Sequence, residues 1–312
     1  MTRLAGRMRW ATCAVCACMA LASCSTAPAR TDTVTAVKKQ AADASAVGDG
    51  YFHQGRYDLA IQFFDQALSY STSVDDQAGI VLASIAIGKV YMTAGSLDDA
   101  ERILAEARDR ARAADPRLLF LSSINLGELY LRKARPQDAL AVFEQAKTMP
   151  DSARTSAQNA ILLHDMGTAR KSLDDLPGAL GLFTQSLKIN LDLKLGAEAA
   201  SDYYMIASVY SKQGDYDNAA RNAQLALEAD KKVENAPAIA QDLYALGLID
   251  RKRQGFSAAY DWFLRSYQVS LALSMRAEMR KALTEMASCA DALGNGEDAE
   301  SARKLLADLG NP

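Results

Sequence analysis

The sequence predicts an all-α fold: seven helix–turn–helix units stacked in one direction, giving a solenoid of fourteen helices. Three observations predict it. The 312 residues are 49% apolar but only 7% aromatic, with 7 prolines, and no long stretch shows the alternating β-branched pattern of strands. From residue 41 the chain repeats itself in segments that begin at Ala41, Val81, Phe120, Ala160, Ala200, Ala240 and Arg280, in steps of 39 or 40 residues. A fixed period of this size is the signature of stacked supersecondary units. Finally, the twentieth residue of every segment is alanine: Ala60, Ala100, Ala139, Ala179, Ala219, Ala259 and Ala299.

Taken in chain order, residues 1–23 read as a leader to be set aside. Arg3, Arg7 and Arg9 precede an apolar run of 13 residues, Trp10 to Ala22, the length of a signal-peptide core and short of the roughly 20 residues that span a bilayer. The run ends in Leu21-Ala22-Ser23-Cys24, which resembles the bacterial lipobox. That resemblance implies cleavage before Cys24, diacylation of its sulfur and an acylated new N-terminus, and more than one acyl chain gives stable membrane attachment. Ser25 follows where an inner-membrane retention signal would place Asp, which implies an outer-membrane address, with the periplasmic face expected and the cell surface and inner membrane left as alternatives. Cys13, Cys16 and Cys18 lie in the removed segment, so Cys289 is left as a free thiol and no internal disulfide is expected. Losing the three arginines leaves 32 basic against 38 acidic residues, a net charge of about −6 that argues against nucleic acid or an anionic membrane surface as the main partner.

Residues 24–40 hold the lipidated cysteine, a short polar tether from Ser25 to Asp32 and the start of the first helix, expected near Thr33. Residues 41–312 hold the seven units. Their eighth position reads Gly48, Gly88, Gly127, Gly167, Ala207, Gly247 and Ala287. Glycine inside a helix costs about 1 kcal/mol relative to alanine, so its recurrence needs a packing reason. The expected reason is a close approach to the alanine at position twenty. Tyr51, Tyr91, Tyr130 and Tyr210 at position eleven, and Phe64, Leu104, Phe143, Phe183 and Phe263 at position twenty-four, would fill the wider space beyond. Gly55, Gly95 and Gly214 are expected to end first helices in the left-handed conformation, with Asp or Ser after them starting the second helix. Asp115-Pro116 and Asn235-Ala236-Pro237 are expected to cap and open first helices.

Departures from the pattern carry information of their own. Ala134-Arg135-Pro136 and Asp174-Asp175-Leu176-Pro177 lack the turn glycine. Arg170 and Asp250 stand where tyrosine is usual, for no reason visible in the sequence. Arg303 replaces the phenylalanine of the last unit, whose outer helix has no neighbour and must be wettable.

The series Gly48, Tyr51, Gly55, Tyr57, Ala60, Phe64 and Ala67 resembles the tetratricopeptide repeat, and the likeness extends over residues 41–312. The usual unit has 34 residues, and units near 40 resemble the longer-helix variety. The resemblance implies a right-handed superhelix whose inner surface is lined by first helices, and a function in binding proteins or peptides. Groove positions in the early units include Leu82, Ile85, Met92, Leu121, Ile124 and Leu131, suited to an apolar segment. In the later units they become His164, Lys171, Tyr204, Lys212, Tyr244, Arg251 and Lys252, suited to a polar or carboxylate-bearing peptide. The Lys and Asn set of the chaperone-binding clamp is absent.

No catalytic pattern is present: there is no G-x-S-x-G, P-loop or H-E-x-x-H, and His53 and His164 have no ligand-spaced companions. Cys289 sits in an apolar column and reads as a small core residue. The chain is therefore expected to be a lipid-anchored scaffold for envelope proteins, not an enzyme, with no cofactor and no metal. An alternative is a solute-binding accessory of a transport system.

Overall fold

The computed structural model describes residues 30–310; the leader and the expected lipidation at Cys24 lie outside them. Among the described residues there are fourteen α-helices and no strand. Unit one pairs α1 (Arg30–His53) with α2 (Tyr57–Ser73), and unit two α3 (Gln77–Ala94) with α4 (Leu97–Ala114). Units three and four pair α5 (Pro116–Arg132) with α6 (Pro136–Lys147), and α7 (Ser156–Ser172) with α8 (Leu176–Asp192). Units five and six pair α9 (Gly196–Gln213) with α10 (Tyr216–Lys232), and α11 (Ala236–Lys252) with α12 (Phe256–Ala272); α13 (Arg276–Ala292) and α14 (Gly296–Asp308) close the array. The first helix is described from Arg30, three residues before the expected Thr33.

Every helix packs on the one before and the one after it. Contacts between helices two apart join α1 to α3, α3 to α5, α5 to α7, α7 to α9 and α11 to α13. All of these are first helices. They form the inner wall, and the second helices fan out behind, which is what bends a stack of helix pairs into a solenoid. The α3 helix is long and apolar enough to cross a membrane by length and composition, but Val81, Ile85, Ile87 and Val90 are buried against its neighbours in the array.

The alanine column is the tightest part of the core, with all seven residues at 0% exposure. Its expected glycine partner is different. A Cβ added at Gly127 would meet the Phe143 ring at 2.2 Å, and at Gly48, Gly167 and Gly247 it would meet Phe64, Phe183 and Phe263 at 2.7, 2.7 and 2.5 Å. At Gly88 the obstacle is Leu104, at 2.6 Å. The glycine at position eight therefore seats the large side chain at position twenty-four rather than the alanine at twenty. The two units with alanine at position eight fit the same rule, since opposite Ala207 and Ala287 stand Ala223 and Arg303, neither of them an apolar side chain of that size. Arg303 turns outward to pair with Asp291.

The turn within each unit keeps one geometry whatever its residue. Gly55, Gly95, Gly214 and Gly294 have positive φ, and so do Ala134 (54°), Asp174 (65°) and Gln254 (63°). The left-handed conformation costs a non-glycine residue about 1–2 kcal/mol. Ala134→Gly is accordingly expected to stabilise the protein by up to about 1 kcal/mol, after the greater entropy of glycine in the unfolded chain is subtracted. A rise in the urea midpoint checks it, and an unchanged or lower midpoint would show that the turn is unstrained.

Helix starts are capped less uniformly than the sequence suggested. The Asp115, Asp175, Asp215 and Asn295 side chains accept from backbone N–H groups of the helices that follow, and Thr155 forms a reciprocal capping box with Gln158. Asn235 does not cap α11; its amide donates to Asp230 Oδ1 at 3.0 Å. Unit three departs most. Its α6 has 12 residues against 17 in α8, α10 and α12, and a short 3-10 turn, Asp151–Ala153, completes the connection.

Candidate functional site

The inner wall is apolar and closed in the early units, and polar and cleft in the later ones. Leu82 is exposed (47%) and Leu121 half-buried, but Ile85 (5%) and Ile124 (9%) are buried, as is Met92. Ile85 and Ile124 are therefore core residues rather than groove residues. In these units α3, α5 and α7 pack closely enough to cover position five.

From unit four onward a polar set replaces that apolar contact. His164, at position five of unit four and on α7, shares a hydrogen bond of 2.7 Å through Nδ1 with Asp202 on α9. Asp202 is fully buried and also accepts from Ser186 Oγ (2.9 Å) and Asn190 Nδ2 (2.8 Å). One junction later the same positions hold Tyr204, Asp242, Ala226 and Asp230, so the serine and asparagine donors are lost and a second carboxylate takes the asparagine's place. Asp242 is buried, its Oδ2 receives no donor, and burial together with the neighbouring Asp230 pushes its pKa up to about 8. Burial and the nearby Asp230 carboxylate favour the protonated form of Asp242, and burial raises Asp230 as well. At the last junction Ser266 donates to the Ala240 carbonyl (2.7 Å), while the Ser270 hydroxyl is buried without a partner.

The basic groups divide into paired and unpaired. Arg251 on α11 pairs with Glu285 on α13 at 2.6 Å, tying two first helices together, and Lys212 pairs with Asp174 at 2.7 Å. Lys171 and Lys252 instead donate to hydroxyls, Ser208 Oγ at 3.2 Å and Ser211 Oγ at 3.0 Å. Burial lowers the Lys171 pKa, and the nearby Lys212 ammonium adds to the effect. Burial and nearby carboxylates, Asp242 and Glu285, raise the Tyr204 and Tyr244 phenols.

Arg170 and Asp250 are now explained. Arg170 bridges Asp175 (2.8 Å) and Glu144 (3.4 Å), and Asp250 accepts from Trp262 Nε1 (2.9 Å). Each replaces the packing of a tyrosine with a polar tie to a neighbouring helix.

Two cavities follow from this layout. The α9 and α11 helices make sparser contact than other successive first helices, and a cavity of about 270 Å³ opens between them beside Ser208, Ser211, Lys212, Leu248 and Lys252. Tyr204 separates it from a second cavity of about 180 Å³ walled by Tyr204 and Tyr244, with Gln241, Ser266, Glu278 and Lys281 around it. Among the described residues no group of three or more His, Cys, Asp and Glu side chains is placed to hold a metal ion. Cys289 is a buried free thiol whose pKa is raised by burial, the opposite of an activated nucleophile. The sequence reading missed Asp202, Asp230 and Asp242. Position three gave no clear signal, because it reads Asp43, Ala83, Ser122, Leu162, Asp202, Asp242 and Ala282, and Asp43 is exposed.

Comparison with known proteins agrees with this architecture. Tetratricopeptide-repeat families match residues 40–113 and 80–152, and again residues 203–233. No curated protein sequence matches the chain. Among solved structures, BtubC (BKLC) from P. vanneervenii is 18% identical, with 79% of this chain and 93% of that one covered and a TM-score of 0.57. The apo form of the quorum sensor NprR from B. thuringiensis is 17% identical over 90% of this chain and 80% of that one, with a TM-score of 0.66. A Rap protein complexed with Competence and Sporulation Factor is 15% identical over 89% and 79%, with a TM-score of 0.64. The chain carries tetratricopeptide repeats, and its fold is that of the tetratricopeptide-like solenoids.

Proposed function

We propose that this protein is a scaffold of the bacterial cell envelope, anchored by lipid at Cys24 and holding protein or peptide partners along the wall formed by its first helices. The observation that carries the reading is the wall itself, a surface shared by successive units that turns from closed and apolar to cleft and polar near α9 and α11. Solenoids use such extended inner surfaces to bind other chains. Two proteins of the same fold are a quorum sensor and a Rap protein complexed with Competence and Sporulation Factor, which supports a binding role. The anchor rests on Leu21-Ala22-Ser23-Cys24, and only residues 25–29 separate the cysteine from α1, so the body would stand close to the membrane. The outer membrane, periplasmic side, is the address that Ser25 favours.

A photo-crosslinking residue at Leu248, on the inner wall, is expected to give discrete protein adducts in intact cells. The same residue at Leu225, exposed on α10 behind the wall, is expected to give none. Equal adducts at both positions would remove the inner wall as the binding face. In parallel, Cys24→Ser is expected to abolish incorporation of radiolabelled palmitate, and persistent labelling would place the lipid elsewhere.

A further inference from the structure

The inner wall parts between α9 and α11, and the side chains there define a partner. The α7–α9 junction is closed by His164 and Asp202, and the α11–α13 junction by Arg251 and Glu285. Between α9 and α11 the polar tie is Lys252 to Ser211, an ammonium on a neutral hydroxyl. The cavity at this gap is lined by two lysines and no carboxylate. Lys171 reaches the same stretch of α9 from the other side, through Ser208. Lysines from three successive units thus converge on the C-terminal half of α9, and the carboxylate that pairs with one of them, Asp174, is 74% exposed. A cationic cluster with mostly neutral partners is complementary to a carboxylate, which would gain charge-assisted hydrogen bonds.

The neighbouring cavity is flanked by Tyr204 and Tyr244, whose rings offer faces to a bulky apolar side chain, and is bordered by Gln241, Ser266, Glu278 and Lys281. On α11 it spans Ala240 to Tyr244, and the lysine cavity spans Ala245 to Lys252. At 1.5 Å per residue their centres lie about 10 Å apart along the helix. An extended peptide covers that in about three residues.

We propose that the two cavities together read one extended segment of a partner protein. Its acidic side chain sits among Lys171, Lys212 and Lys252, and a bulky apolar side chain about three residues away sits between Tyr204 and Tyr244. This rests on the inner wall being the partner-binding face. The competing account is that the lysines only complement the C-terminal dipoles of α7, α9 and α11, whose last turns they occupy.

The test uses the purified full chain and a positional-scanning library of octapeptides. The native protein is expected to enrich Asp or Glu at one position and Leu, Phe or Met about three residues from it. Lys212→Ser with Lys252→Ser is expected to reduce the acidic preference about tenfold, the loss of a charge-assisted hydrogen bond, while the apolar preference persists. Lys212→Arg with Lys252→Arg is expected to restore it, which controls for misfolding. No acidic enrichment by the native protein, or an acidic preference unchanged in the serine variant, overturns the proposal. So does a serine variant that changes only the melting temperature, which is the dipole account. Adducts at Leu248 with no acidic preference would leave the inner wall as the binding face and remove only the two-cavity reading; no adducts there would remove both.

Discussion

Gly127→Ala is expected to destabilise the protein by about 1–3 kcal/mol, although alanine is the better helix former. The added methyl would stand 2.2 Å from Phe143 Cε1. The ring has nowhere to go: it is fully buried and packed in one cluster with Ala139, Leu162, Leu163 and Met166. In a Phe143→Ala background, which itself costs about 3–5 kcal/mol, the obstacle is gone. There the same substitution is expected to be neutral or to stabilise by up to about 1 kcal/mol, the intrinsic helix preference. Unit five already contains that pairing, Ala207 with Ala223, and both are buried. Urea unfolding of the four proteins measures the coupling. An equal cost in both backgrounds would mean that Gly127 answers to something other than the ring.

The mistaken partner for this glycine shows where periodicity stops being informative. A repeat of forty residues with small side chains in fixed columns dictates paired helices and which positions face inward, and all fourteen helices were legible on that basis. It does not dictate which residue of the second helix lies opposite a given residue of the first. That depends on how the two helices cross, and the structure places position twenty-four rather than twenty over the glycine. Ala134 and Asp174 make a similar point. The turn rule expects glycine, but the packing of the two helices fixes the turn and imposes positive φ on whichever residue is there. The groove was only partly legible for a related reason. Lys171, Tyr204, Lys212, Tyr244 and Lys252 could be placed on the inner wall by column. Ile85 and Ile124 occupy the column of Tyr204 and Tyr244, yet are covered because the early inner helices stand closer. The buried carboxylates were invisible because their burial is contributed by the neighbouring unit.

Those carboxylates carry the other large expected effect. Asp242 is raised from 3.8 to about 8 by burial and by Asp230, so the folded chain holds a proton that the unfolded chain has released. A raised acid pKa means that stability is fully present below the unfolded value, near 4, falls as pH rises through the interval, and levels off above about 8. The native protein is expected to lose on the order of 2–5 kcal/mol across that window from this pair. Asp165, pushed up to about 7 by burial, adds a dependence of the same sign over a narrower window. The preceding junction shows how to remove the larger one. There Asn190 occupies the position of Asp230 and donates to Asp202 at 2.8 Å, a neutral donor in place of a second acid. Asp230→Asn supplies the same donor to Asp242 and keeps an oxygen for Asn235, which now donates to Asp230. The variant is therefore expected to match the native protein near pH 5, to exceed it at pH 8.5, and to retain the dependence that Asp165 and Asp65 impose. Melting temperature measured from pH 5 to 9 decides it. Parallel curves for the two proteins would show that Asp230 is not what raises Asp242 in the folded chain.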